Sequence, residues 1–119
     1  MPLFLSQRNI GSITILELGE QLKAQNVSEF RETLQQQLDQ GRTQLLLDCS
    51  HIHSVDSVGI GSLVGHWISL KKQGGRLALL NPSVRLQNVL RVVGLHEVIE
   101  SVDDIGKINP QGVSNPKDS

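Results

Sequence analysis

QLLLDCSHIHSVDSVGIGSLVGHW, from Gln44 to Trp67, carries two hydrophobic periods in one stretch. Leu45, Leu46 and Leu47 form a short unbroken apolar run, the pattern of a strand buried on both faces. From Ile60 the period changes. Ile60, Leu63, Val64 and Trp67 recur at i, i+3, i+4 and i+7, which places them on one face of a helix. Gly74-Gly75 stops that helix, and RLALLN (Arg76 to Asn81) repeats the buried-strand pattern. Two buried strands joined by a helix make a βαβ unit, with parallel strands and a right-handed crossover. Asp56-Ser57 lies at the strand-to-helix junction, where open α/β sheets commonly place their ligand or reaction sites.

On the N-terminal side, LFLSQ and SITILEL read as two strands joined by RNIG, whose Asn9 and Gly11 suit a tight reversal. Ile13 and Ile15 alternate with Ser12 and Thr14, which predicts one core-facing and one wetter face. NVSEFRETLQQQLDQG then gives a helix with an apolar stripe at Val27, Phe30, Leu34 and Leu38, capped by Asn26 and closed by Gly41. On the C-terminal side, NPSVRLQNVLRVVG supplies a third helix, with Asn81 or Ser83 as cap and Pro82 in its first turn. Its stripe is Leu86, Val89, Leu90 and Val93, and Gly94 ends it; HEVIE is read as a final short strand. The order β-β-α-β-α-β-α-β predicts a single α/β layer. Its mixed sheet opens with an antiparallel hairpin and continues with parallel strands linked by crossover helices. Residues 1–105 form the predicted domain, and 106–119 (GKINPQGVSNPKDS) read as a flexible tail without periodicity.

Composition narrows the function. The chain has 119 residues and a formal charge of −1, so no basic field directs it to nucleic acid or an anionic membrane. Two Phe, one Trp and no Tyr leave little for a base-stacking platform. The single Cys49 excludes an intramolecular disulfide and fits a reducing compartment. The start MPLFLSQRNIG lacks signal-peptide character, and no run reaches the roughly 18 apolar residues of a membrane span, so a cytoplasmic location is expected.

Known catalytic frames do not fit the junction. Neither Ser57 nor Ser62 stands in G-x-S-x-G; Gly59, Gly61 and Gly65 miss G-x-G-x-x-G by one residue; no phosphate-loop motif occurs. His51 and His53 could share one side of an extended segment, yet no partner set recurs at ligand spacing, so neither a metal site nor a catalytic residue is expected. Gly61 and Gly65 share a helix face and read first as close helix-on-sheet packing; a flat surface for a partner is the alternative. Trp67 and Cys49 read as core, and Arg85 and Arg91 as a solvated face that could also meet an acidic partner. Asp56 or Ser57 can cap the helix, and an exposed serine there is also a position for a phosphate switch.

Four segments together resemble the STAS domain of bacterial anti-sigma-factor antagonists. They are the apolar strand ending in Asp48, DSVGIG (Asp56 to Gly61), KKQGGRLALLNP (Lys71 to Pro82) and VLRVVGL (Val89 to Leu95). The likeness spans roughly residues 3–102 and extends back through LGEQLKAQNVSEFRETL. It implies a non-catalytic binding module without cofactor. Ser57 would be phosphorylated by an anti-sigma factor that is also a GHKL-type serine kinase, and a phosphoserine phosphatase would reset it. Asp56, Ser57, Val58, Gly59 and Gly61 would form the partner-binding segment. Two departures stand out: Val58 where many members carry Ser or Thr, and Lys23 where an Asp is common. The alternatives are a constitutive STAS subunit of a stress-signalling or lipid-transport ATPase complex, and a small-ligand or nucleotide sensor.

Overall fold

The computed structural model describes residues 2–108. The chain runs β1 (Phe4–Ile10), β2 (Ile13–Leu18), β3 (Gln21–Leu22), α1 (Val27–Asp39), β4 (Gln44–Asp48), β5 (Ser54–Val55), α2 (Ser57–Lys72), β6 (Arg76–Leu80), α3 (Val84–Val92) and β7 (Ser101–Val102). A single 3-10 turn, Ile105–Lys107, follows. Five strands form one sheet in the order β1-β2-β4-β6-β7. β1 pairs antiparallel with β2, and every later neighbour pairs in parallel. This is the mixed α/β architecture expected from the βαβ reading of Gln44–Asn81.

The unbroken apolar runs of β4 and β6 serve two cores, because successive side chains point to opposite faces. Leu45, Leu47, Leu77 and Leu79 pack with Phe30, Leu34, Leu63 and Leu86 from the three helices. Leu46, Ala78 and Leu80 pack on the other face with Ile13, Ile15 and Ile108. Each fully buried leucine contributes roughly 1.5–3 kcal/mol, so β4 and β6 anchor the molecule.

Several expectations need correction. β2 has no wet face: Thr14 is buried, and its hydroxyl donates to Asn9 Oδ1 at 2.9 Å. The strand lies between β1 and β4, and Ile105 and Ile108 cover the face bearing Ile13 and Ile15. Ile108, within the segment read as tail, is buried in that contact, and residues 109–119 of the segment lie outside the described residues. RNIG is mostly strand, since β1 runs to Ile10 and the reversal takes only Gly11 and Ser12. HEVIE is a turn, in which the Val98 and Ile99 amides donate back to the Leu95 carbonyl; the last strand begins only at Ser101. Pro82 precedes α3 instead of entering it, Ser83 supplies the cap by accepting from the Leu86 amide, and Val93 is exposed at the helix end. Gly41, Gly74 and Gly94 end the three helices as expected, each with φ near +80°, a conformation that side-chain-bearing residues rarely adopt.

Candidate functional site

β3 and β5 are only two residues each, and they pair in parallel with Gln21 opposite Ser54 and Leu22 opposite Val55. This small ladder lies where the chain leaves the main sheet for α2, and it brings the segment before α1 against the start of α2. Three contacts fix the crossing. Asp56 caps α2, its Oδ1 accepting from the Gly59 amide at 2.8 Å. Its Oδ2 accepts from the Ala24 amide at 2.9 Å, so one carboxylate joins the two segments. Gly59 is buried, and a Cβ there would lie 2.0 Å from the Leu22 carbonyl oxygen; only glycine lets the strand-end carbonyl come so close to the helix.

The Ala24 amide, then the Gly59 amide, holds the Asp56 carboxyl below the ordinary aspartate value of 3.8, and the Lys23 ammonium adds to the effect. Asp56 is therefore a fixed anion at neutral pH. Asn26, expected to cap α1, does not. Its Oδ1 accepts from the Lys23 amide and its Nδ2 donates to the Gln21 carbonyl, so it closes the Gln21–Asn26 loop upon itself.

Ser57 is the first residue of α2 and is exposed; no described residue shares a hydrogen bond with its hydroxyl. Val58 beside it is 46% exposed. Gly61 and Gly65 are exposed, with nothing within 4 Å of an added Cβ. Their expected role in close packing is wrong, and Gly59 fills it instead. Gly59 itself is buried against Leu22 and sets the spacing between β3 and the start of α2.

β4 and β6 are parallel neighbours, so the segments that leave their C-terminal ends share one edge of the sheet. The start of α3 thus flanks that of α2. Ser83 Oγ donates to the Ile52 carbonyl and Arg85 Nε to the His53 carbonyl, tying α3 to the approach to β5. Val84 is 73% exposed at that edge. The result is a rigid surface with Ser57 and Gly61, two exposed valines, and flanking cations at Lys23 and Arg85.

The other flagged residues are drawn elsewhere. His51 contacts Glu17 at 2.9 Å and His53 contacts Glu20 at 3.8 Å, so the two do not converge. No group of three potential metal ligands occurs among the described residues. Cys49 is fully buried, and loss of hydration pushes its thiol pKa up, which leaves it inert. Trp67 is half-buried at the rim of the core, with Lys71 Nζ 5.0 Å from its ring centre. No helix among the described residues is long and apolar enough to cross a membrane.

Sequence reasoning missed the Leu22 carbonyl and the Ala24 amide, because backbone groups leave no mark in a residue pattern. It did single out Lys23, though without placing it beside Asp56.

Residues 5–108 match the family model described as the STAS domain. The chain belongs to the STAS family. A Bacillus subtilis (strain 168) member named anti-sigma-B factor antagonist is 32% identical over 94 residues, 79% of this chain and 84% of that protein. The anti-sigma-B factor antagonist of Listeria monocytogenes is 28% identical over 105 residues, 88% of this chain and 91% of that one. Among solved structures, the anti-sigma factor antagonist SpoIIAA in its unphosphorylated form superposes with a TM-score of 0.68 at 22% identity, covering 87% of this chain and 91% of that one. Its phosphorylated Bacillus form gives 0.66 at 24% identity, covering 85% and 92%. The likeness to SpoIIAA is one of STAS fold.

Proposed function

We propose that this STAS protein is an anti-sigma factor antagonist, a binding module whose docking surface is the sheet edge at the start of α2, switched by phosphorylation of Ser57. The observation that carries the reading is an exposed Ser57 hydroxyl, without a hydrogen bond among the described residues, directly beside a clamped Asp56 anion at the helix start. Sequence relatives named as antagonists support it, and SpoIIAA is known in both phosphorylation states. The unmodified protein binds an anti-sigma factor of the GHKL serine-kinase type and so releases the sigma factor. That kinase then transfers the γ-phosphoryl group of ATP to Ser57 Oγ. A P–O bond to serine forms, the bond to the ADP leaving group breaks, and the hydroxyl proton passes to a base of the kinase. A phosphatase hydrolyses the ester and restores the binding form.

The physics of release is direct. Phosphate brings about −1.5 to −2 charge at pH 7 into a contact surface. Beside Asp56 it repels, and a partner that covers it must strip water from a dianion for which it holds no matching cation of its own. A desolvation cost on the order of 3 kcal/mol corresponds to about a hundredfold in affinity.

The test is incubation with the kinase and ATP, read by mass spectrometry. One phosphate on Ser57, lost in Ser57→Ala, is expected, while Ser57→Asp should fold normally and bind the kinase weakly. A phosphate at another residue, or full-strength binding by Ser57→Asp, would overturn the reading.

A further inference from the structure

Lys23 and the acceptor serine leave the same two-strand ladder. Leu22 is opposite Val55, so Lys23 and Asp56 follow side by side and Ser57 comes next. The Lys23 loop cannot swing away from α2. The Ala24 amide is bound to Asp56, the Lys23 amide to Asn26, and the Leu22 carbonyl packs on Gly59. The ammonium acts on the Asp56 carboxylate through space, but both Asp56 oxygens already accept backbone amides. No salt bridge to the Lys23 ammonium forms among the described residues. The Lys23 backbone is thus held beside the acceptor, and its ammonium, which the Asp56 carboxylate already feels, has no salt-bridge partner committed to it.

We propose that Lys23 is the resident counter-ion of a phosphate on Ser57. Modification then withdraws a cation from the docking surface in the same step that adds a dianion to it. The inference rests on Ser57 being the modified residue. The charged groups around the phosphate are Asp56, which opposes the second ionisation, and Lys23, which favours it. Arg85 and the His53–Glu20 pair lie on the flank toward α3. Lys23 thereby fixes how much of the added charge a partner meets, and how far the switch responds to salt.

The experiment needs neither kinase nor partner. Phosphoserine is placed at position 57 of the full chain by genetic encoding, and its second ionisation, near pH 6 for a free phosphoserine, is followed by phosphorus NMR. Lys23→Ala should raise that pKa by roughly 0.15–0.7 unit at low salt, the 0.2–1 kcal/mol span of one solvent-screened ion pair converted at about 1.36 kcal/mol per unit, and Lys23→Arg should restore it. The difference should shrink in high salt as screening takes hold. Lys72→Ala is the control: fifteen residues along α2 at 1.5 Å each put it about 22 Å away, and it should leave the value unchanged. A Lys23→Ala pKa equal to wild type, or a shift no larger than that of Lys72→Ala, would overturn the assignment. Such a failure leaves the Ser57 reading intact, because no kinase is used. Absence of a phosphate on Ser57 in the kinase assay would remove that reading and leave the titration unaffected.

Discussion

Three glycines of α2 predict opposite responses to one substitution. In Gly59→Ala the new Cβ would lie 2.0 Å from the Leu22 carbonyl oxygen and 2.7 Å from its carbon. Ordinary contacts need more than 3 Å, so helix and strand end must part by about 1 Å. Both colliding groups are backbone, and no rotamer change relieves them. Overpacking of this kind costs about 1–3 kcal/mol, and the upper half of that range applies where nothing can rotate aside. Alanine returns up to about 1 kcal/mol through its helix propensity, which leaves a net loss near 2 kcal/mol. Gly61 and Gly65 have nothing within 4 Å of an added Cβ, so alanine there brings only the gain, about 0.5–1 kcal/mol at each. Urea unfolding followed by circular dichroism reads the difference. With a slope near 1.5 kcal/mol/M, the midpoint should fall by about 1.3 M for Gly59→Ala and rise by about 0.3–0.7 M for each of the other two. A Gly59→Ala protein as stable as wild type, or a Gly61→Ala protein equally weakened, would refute the close approach of β3 to α2.

Two further outcomes follow from the same geometry. Asp56 has a folded pKa below its unfolded value, so its clamp is fully present above the unfolded pKa and is lost as pH falls through the folded one. Hydrogen exchange should therefore find the Ala24 and Gly59 amides protected from neutral pH down past 3.8, and opening at pH 5 would contradict the clamp. Arg76, with 10% of its side chain exposed, meets Glu100 in a two-point fork at 2.9 and 2.6 Å; Glu100→Gln should cost about 1–2 kcal/mol and lower Tm by several degrees, and an unchanged Tm would argue against the fork.

The sequence made the fold legible wherever periodicity was long enough to have only one reading. β4, β6 and α2 follow directly from the runs at Leu45–Leu47 and Leu77–Leu80 and from the helical spacing at Ile60–Trp67. A strand of two residues has no period, so β3, β5 and β7 could not be found by pattern. Thr14 looked solvent-facing because polarity was taken as exposure, whereas it shares the face of Leu16 and Leu18, which packs in the helix-side core, and Asn9 satisfies its hydroxyl. The glycine error has a geometric cause. Gly59 and Gly61 lie about 100° to either side of Ile60, and only the fold shows which flank β3 covers. Asp56-Ser57 was legible as a capped helix start with an exposed hydroxyl. The clamp was not, since one of its partners is the Ala24 amide, 32 residues away in sequence.

The most direct measurement compares the affinity of one anti-sigma factor for two preparations of the full chain, unmodified and carrying a single phosphoserine at position 57. An exposed acceptor on a rigid docking edge predicts tight binding of the first and an affinity at least about a hundredfold lower for the second, with identical circular dichroism. Equal affinity for both forms would contradict the account, because the charge added at Ser57 would then lie outside the surface that the partner covers.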